Sequence, residues 1–258
     1  MDMKKTAFLA MAVAAASAAW ALPGTVKTDT DSKTGEIKWS PRTKSYTVTF
    51  RRGQTAVSAE FPLDTVVSID VAKPANLDKL AELVRSGKGA SAVEGLKAIV
   101  TTYKMLVWDR PAARWLVQAQ LDSNKANDAY LTAQELIKED KTAAYIGDLA
   151  PAYWQTLLKL GKTQQLENCL RMAASSGDRA ASAAALAMRG DMIVAGGGDA
   201  PDSYRKALTD AYLRVALLYT DAPCREVRRG ALMKCAMCFE KLGMGARAEK
   251  MKADAKSL

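Results

Sequence analysis

A repeating helical pattern over most of the chain constrains the fold more than any other feature of the sequence. From Pro74 onward, apolar residues recur at helical spacing, and short loops marked by glycine, proline or aspartate separate the segments. The segments group into five predicted pairs, whose first helices begin near residues 77, 111, 143, 179 and 225, at separations of 34, 32, 36 and 46 residues. A helical pair of this size buries its apolar face only against neighbouring pairs. The pattern therefore predicts an α-solenoid of ten helices over residues 74–258.

Local signals predict where the first two of these helices begin. Asn76 precedes an apolar pattern over residues 77–86, and asparagine is a favoured N-cap residue. Ser91 and Glu94 have the spacing of a capping box, in which each side chain binds a backbone amide near the other residue. The second helix is predicted to carry one apolar stripe as far as Val107.

Residues 22–73 have a different pattern from the rest of the chain. Runs rich in β-branched and aromatic residues, separated by turn signals, predict five strands near residues 25–30, 35–39, 45–50, 56–61 and 65–71. Five short strands can curl into a small SH3-like β-barrel, and the alternative is an unclosed β-meander packed against the helices. Either arrangement gives an α+β chain, with a small β domain followed by a solenoid of helical hairpins.

Residues 1–21 have the pattern of a secretory signal peptide. A short positive region precedes an apolar run over residues 7–19, and cleavage is predicted between Ala21 and Leu22. The run is shorter than the roughly 20 residues that span a bilayer, although a retained N-terminal anchor is the alternative. No later segment is apolar for long enough to span a membrane. We therefore expect an exported protein, periplasmic or extracellular, with no stable membrane anchor after cleavage.

The sequence contains no histidine. This absence excludes Ser-His-Asp and Cys-His catalytic sites, His-ligated metal centres and c-type haem attachment. The formal net charge is +9, but the basic residues are scattered and form no aromatic-interleaved stripe of the kind that single-stranded nucleic acid binds. We predict no catalytic, cofactor-binding or metal-binding residues, and no nucleic-acid partner.

The four cysteines allow three interpretations. Two of them, Cys235 and Cys238, form a C-x-x-C motif that could serve redox chemistry or bind zinc, and an exported chain could also form disulfides. However, both thiols belong to a single helical stripe that includes Ala231 and Leu242. The spacing favours buried structural cysteines over a disulfide, and a disulfide over a redox or zinc site.

The C-terminal part of the chain resembles the tetratricopeptide repeat family. Residues 203–219 resemble the second helix of one repeat and its linker, residues 229–243 resemble the first helix of the next repeat, and residues 245–251 resemble its partner. The same cadence is found in envelope proteins of the Tol–Pal accessory and outer-membrane assembly types. The resemblance implies scaffolding and peptide or protein recognition. No cysteine follows the predicted cleavage site, so a lipoprotein role is not implied.

Aromatic residues in the early repeats are candidates for a binding groove. Tyr145 and Tyr153 are eight residues apart, a spacing that places them on one side of a predicted first helix over residues 143–160, and Trp154 is adjacent. Large aromatic side chains are more often core anchors, but an inner solenoid surface lined by such rings would bind peptides.

The last repeat has a predicted core. Five residues of its first helix form an apolar stripe: Leu232, Cys235, Cys238, Phe239 and Leu242. We expect the stripe to pack against the preceding helix through Leu208, Tyr212, Val215 and Tyr219.

Together these features predict a non-enzymatic scaffold of the cell envelope that binds a protein or peptide on its concave helical surface. One alternative is an enzyme that acts on glycan or wall polymer, which would require a pair of carboxylates facing a common cleft. Another alternative is a structural protein that binds such a polymer.

Overall fold

The computed structural model describes residues 21–258, so all of the predicted signal peptide except Ala21 lies outside the described residues. The chain divides into two compact units, one ending at Val71 and the other spanning Ala72–Leu258. The first unit is a β-sheet and the second is helical. The predicted α+β class, a small β unit followed by a helical solenoid, is confirmed.

The β unit contains five strands that pair in the order β4-β3-β2-β1-β5, and all pairs are antiparallel. The first four strands form a meander, and β5 returns after a 3-10 turn to pair with β1. Strands β4 and β5 are therefore the two edges of the described sheet, and this order does not exclude either the SH3-like barrel or the meander. The strands are β1 Leu22–Thr28, β2 Ser32–Ser40, β3 Ser45–Arg52, β4 Thr55–Pro62 and β5 Val66–Val71.

One face of this sheet is buried because apolar side chains alternate with polar ones along the strands. Ile37 lies opposite Val48, and Trp39 lies opposite Tyr46 with their ring centroids 4.8 Å apart. Such cross-strand contacts stabilise a sheet and hold its register. The buried apolar residues of the sheet are Val26, Ile37, Trp39, Tyr46, Val48, Phe61 and Val71.

The described helical unit consists of successive helical pairs. The first helices of the pairs are α1 Leu77–Arg85, α3 Asp109–Asp122, α5 Leu149–Lys159, α7 Arg179–Gly197 and α10 Arg225–Lys241. The second helices are α2 Val93–Thr102, α4 Ala126–Glu139, α6 Thr163–Ser175, the helix formed by α8 Pro201–Ala207 and α9 Leu213–Leu218, and α11 Gly245–Ser257. A π-helical turn, Leu208–Tyr212, joins α8 to α9. Among the described helices, none is long and apolar enough to cross a membrane.

The first helices pack against one another in chain order. Helix α3 contacts α5, α5 contacts α7, and α7 contacts α10. Because a turn reverses the chain after each helix, successive first helices run in the same direction and form one layer. Each first helix also packs against the second helix of its own pair, as expected for repeats that bury their apolar faces only against neighbours.

The structure places most of the predicted core of the last repeat inside the protein. Leu232, Cys235, Cys238 and Phe239 are buried, and Leu242 is half-buried at the end of α10. The cluster that contains Phe239 includes the predicted neighbours Leu208 and Tyr212, whereas Leu232 packs with Ala216 and Ala255.

The capping box and the long second helix were wrong predictions. The N-cap residue of α2 is Ala92, with no side-chain cap, and Ser91 lies in a 3-10 turn before the helix. Asn76 occupies the N-cap position of α1, but its side chain makes no capping hydrogen bond.

Helix α2 ends at Thr102 because the chain then makes a tight turn with positive φ at Met105 and Val107. The buried carboxylate of Asp109 accepts a hydrogen bond at 2.7 Å from the backbone N–H of Met105 and another from Arg110. The apolar stripe alone predicts that the helix continues through this segment. The Asp109 carboxylate instead accepts hydrogen bonds from the backbone N–H groups that a continuing helix would have satisfied.

Candidate functional site

A groove crosses the layer of first helices. Its volume is about 510 Å³, and it is lined by Arg114 of α3, residues 145–155 of α5 and the turn before it, residues 178–191 of α7, and residues 223–234 of α10 and the turn before it. The lining therefore comes from four consecutive helical pairs. We refer to this surface as the groove.

The floor of the groove is open because small residues face it. Helix α7 contributes Ala181, Ala184 and Ala187, and α10 contributes Gly230 and Ala231. The spacing of three residues places the α7 positions on one face of that helix, and the α10 positions are adjacent. Larger side chains there would fill the space between the helices, so the small residues create the cavity.

Two of the three aromatic groove candidates, Tyr145 and Trp154, line the groove. Tyr145 is half-buried and follows the 3-10 turn Lys141–Ala144. Trp154 is 1% exposed, and its indole N–H donates a hydrogen bond to the carbonyl oxygen of Ala144 at 2.8 Å. The indole is thus a fixed wall of the groove, while the Tyr145 ring is accessible.

Tyr153 does not line the groove, which corrects its selection from the sequence. Its ring stacks on Tyr130 at 6.1 Å, and its hydroxyl accepts hydrogen bonds from the amides of Gln134 and Gln165 at 2.5 and 2.6 Å. Burial raises the pKa of the Tyr153 hydroxyl above its usual value. Helix α5 begins at Leu149, so Tyr145 is outside the helix and the eight-residue spacing does not put the two rings on one side.

Three acidic residues lie along one edge of the groove, where the first helices begin. Asp148 immediately precedes α5, Asp178 immediately precedes α7, and Glu226 is in the first turn of α10. Acidic side chains are favoured there because the helix dipole is positive at its N-terminus. Since the first helices run in the same direction, the three carboxylates share one edge. We call them the acidic edge.

The carboxylates of the acidic edge differ in their partners. Asp178 accepts a hydrogen bond from the backbone N–H of Ala181 at 2.8 Å, and Glu226 forms an exposed ion pair with Arg229 at 2.6 Å. Asp148 has no hydrogen-bond or ion-pair partner within residues 21–258 and is exposed. The acidic edge therefore contains two partnered carboxylates and one exposed carboxylate without a partner among the described residues.

Another part of the groove contains a fixed polar network. The Lys234 ammonium lies 2.6 Å from one Asp191 oxygen, and the Tyr212 hydroxyl donates to the other at 2.7 Å. Burial, and then the Asp191 charge, raise the pKa of Tyr212. Gly190 lets the Tyr212 ring lie against α7, because a Cβ at position 190 would clash with that ring. Lys234 is thus already neutralised within the groove.

The carboxylates that line the groove are either exposed or already partnered. In the part of the chain that the structure describes, no cluster of three His, Cys, Asp or Glu side chains could hold a metal ion. What the lining offers is shape, aromatic surface and negative charge.

All four cysteines are buried with free thiols. Burial raises the pKa of Cys235 to about 12, and raises the pKa of both Cys169 and Cys238 to about 11. A thiolate is the reactive form of cysteine, so these thiols are suited to packing. The C-x-x-C spacing places Cys235 and Cys238 in the same helical core, facing Tyr212.

Sequence reasoning missed the acidic edge and the polar network. The acidic edge had a readable signal, since an Asp or Glu recurs at the start of successive first helices. The network of Asp191, Tyr212 and Lys234 had none, because it joins three helices that only packing brings together.

No family model matches the chain, and no curated protein matches it. Among solved structures, the chain is similar to a Podosopora anserina protein with nearly identical TPR-like repeats of the kinesin light chain type. The two sequences are 11% identical, the match covers 71% of this chain and 92% of that chain, and the TM-score is 0.42. Another structure of that Podosopora anserina protein has 14% identity, 72% and 95% coverage, and a TM-score of 0.41. MamA from AMB-1 has 16% identity, 71% and 96% coverage, and a TM-score of 0.37. At these scores the similarity adds nothing to what the helices themselves show.

Proposed function

We propose that this protein is a non-enzymatic scaffold that binds an extended peptide segment of a partner protein in the groove. The observation that carries the proposal is the groove itself, which runs across four consecutive helical pairs and has a floor of small residues. Its volume of about 510 Å³ falls within the range of roughly 300–1,000 Å³ that is usual for ligand pockets. An accessible tyrosine beside fixed polar groups is typical of a peptide-binding surface.

The proposal extends to the cell envelope as the place of action. The pattern of residues 1–21 supports export, and the partner would then be an envelope protein or peptide. The mass of the intact protein recovered from the producing cells tests this part. We expect a chain that begins at Leu22. An unprocessed chain that fractionates with membranes would contradict the export proposal and leave the groove proposal standing.

A blocked groove tests the binding proposal. Gly230 is exposed within α10, lines the groove, and has open space where a Cβ would lie. Gly230→Trp would therefore place an indole at the groove from a position where the added Cβ meets no other atom. Gly196 provides a matched control, because it is also an exposed glycine with open space, near the end of α7, and does not line the groove.

Peptides selected by display against the wild-type protein serve as the probes. We expect the selected peptides to bind the wild-type protein and Gly196→Trp equally. Their affinity for Gly230→Trp should be lower by at least about tenfold, because losing a contact surface worth about 1.4 kcal/mol has that effect. Circular dichroism checks that both variants are folded. Equal binding to all three proteins would place the binding surface outside the groove and refute the proposal.

A further inference from the structure

Strand β4 is an open edge of the sheet. It pairs with β3 along its whole length, from Thr55 to Pro62, and no other described strand lies on its second side. All of its residues are exposed except Ala59, which is half-buried, and Phe61, which is buried. The second side of an edge strand carries backbone N–H and C=O groups that can pair with a further strand.

The hairpin between β3 and β4 determines which backbone groups point outward. Its loop is two residues long, and the first of them, Gly53, has a φ of 67°. A loop of this kind is closed by a hydrogen-bonded residue pair, and hydrogen-bonded pairs alternate with non-hydrogen-bonded pairs along antiparallel strands. The backbone groups of Thr55 and of every second residue after it therefore face β3. Those of Ala56, Ser58 and Glu60 face outward.

The other edge of the sheet is interrupted. The pairing of β5 with β1 shifts register next to Thr28, which leaves Val67 as an extra residue of β5. Such bulges disrupt the hydrogen-bond ladder and are one way in which proteins keep an edge from pairing. In contrast, the register of β4 with β3 is continuous, and Glu60 is the single charged residue in the sequence of β4. Of the two edges, β4 is therefore the one suited to accept a strand.

The sequence of β4 is complementary to itself in antiparallel orientation. When two copies meet at Ala59, Val57 of each copy lies opposite Phe61 of the other, and Ser58 lies opposite Glu60. The first pair is apolar and would cover Val57, which is 36% exposed. The second pair sets a hydroxyl opposite the charge of the strand, so like charges do not face each other. The outward backbone groups of Ser58 and Glu60 also face each other in this register, as antiparallel pairing requires.

We propose that this protein forms a symmetric dimer in which the β4 strands of two copies pair antiparallel about Ala59. The two sheets then form one continuous sheet. Because the same surface of each copy makes the contact, the assembly closes at two copies. One strand from each copy makes a small contact, and small interfaces are weak, so dimerisation should depend on protein concentration. This inference does not depend on the proposed function.

Disulfide trapping tests the register. In a non-hydrogen-bonded pair the Cα atoms are about 4.5 Å apart, which is within the range that a disulfide spans. Ala59→Cys should therefore crosslink two copies under mild oxidation. The four native cysteines are buried, so they do not compete.

Val57→Cys is the matched control for trapping. Val57 is more exposed than Ala59 and lies on the same face of the strand. In the proposed register the two copies of position 57 are four residues apart along the strands, or about 14 Å. That separation is too long for a disulfide, so we expect Ala59→Cys to crosslink at least about tenfold faster than Val57→Cys.

Sedimentation velocity of the wild-type protein and two variants tests the dimer itself. Ser58→Pro removes an outward N–H, and an edge strand tolerates proline where the N–H faces away from the sheet. Ser58→Thr keeps the N–H and suits a strand. A backbone hydrogen bond is worth about fivefold, and Ser58→Pro removes one from each copy, so it should weaken dimerisation about 25-fold. Ser58→Thr should change it by less than about twofold.

The wild-type protein should show a monomer–dimer equilibrium between about 1 µM and about 1 mM, the range of weak association. Higher ionic strength should favour the dimer, because each copy has a formal net charge of +9 and salt screens the repulsion. Circular dichroism checks that the variants are folded, and if Ser58→Pro is not, the two cysteine variants decide.

Three results would overturn the inference. They are a wild-type monomer at every concentration, equal crosslinking of Ala59→Cys and Val57→Cys, and unchanged dimerisation of folded Ser58→Pro. Each of them would leave the proposed function standing, because peptide binding is measured separately with Gly230→Trp.

Discussion

Phe239 of α10 provides a test of whether the helical unit is stabilised repeat by repeat. Its side chain is 6% exposed and packs with Tyr204, Leu208 and Ala248 of the neighbouring helices. Phe239→Ala would remove the ring and leave a cavity, which lowers the free energy of unfolding by about 3–5 kcal/mol. The exposed Arg247 guanidinium, 5.9 Å from the ring centroid, adds at most about 1 kcal/mol to the loss.

We expect the loss to be local, because solenoid repeats are stabilised mainly by their nearest neighbours. Each 1.4 kcal/mol corresponds to tenfold, so amide exchange should accelerate by about one hundred-fold to several thousand-fold. Hydrogen exchange measured by mass spectrometry should show this acceleration in α8–α11, while α1–α3 keep their protection. Leu96→Ala is the matched control, since Leu96 is fully buried in the cluster of α1–α3. It should give the opposite pattern.

Two results would refute this reasoning. If Phe239→Ala accelerates exchange in α1–α3 as much as in α8–α11, the helical unit is one cooperative core rather than a series of repeats. If exchange is unchanged everywhere, the contacts of Phe239 contribute nothing to stability despite its burial.

Three further predictions concern stability and reactivity. Gly230→Ala should raise the free energy of unfolding by about 0.5–1 kcal/mol in thermal denaturation, because glycine is unfavourable inside a helix and a Cβ at this position meets open space. Thiol titration at mildly alkaline pH should find no reactive cysteine in the folded protein and four after denaturation, because burial raises the pKa of Cys235 to about 12 and places the other thiols above their usual value as well. Burial also raises the pKa of Asp109, so the folded state binds this proton more tightly than the unfolded state does. The contribution of Asp109 to stability should therefore increase as the pH falls from neutral toward its unfolded pKa near 3.8. The same contribution should decrease as the pH rises through the folded pKa. Urea denaturation across that range, in wild type and in Asp109→Asn, would show this component missing from the variant, and an identical pH dependence in both proteins would contradict it.

The periodicity of the sequence determined the architecture. Alternation over residues 22–73 and helical spacing from Pro74 onward report which side of each segment is apolar, and that information is local. It was sufficient for five strands, for paired helices and for the burial of Phe239 and most of its stripe. Because each helical pair leaves an apolar face exposed, the repeated pattern also required neighbouring pairs to stack.

Only the tertiary structure decided what faces the groove. Adjacent residues on a helix point about 100° apart, so Tyr153 and Trp154 face different sides of α5, which begins at Leu149. Trp154 forms a wall of the groove, whereas Tyr153 is buried among glutamine side chains. The end of α2 depended on the buried Asp109 carboxylate, which accepts a hydrogen bond from the backbone of the following turn. The spacing of apolar residues gives no sign of that turn. The acidic edge exists because packing aligns the starts of three helices that are far apart in the chain. Local patterns encode which faces are buried, whereas the meeting of distant side chains depends on how those faces pack.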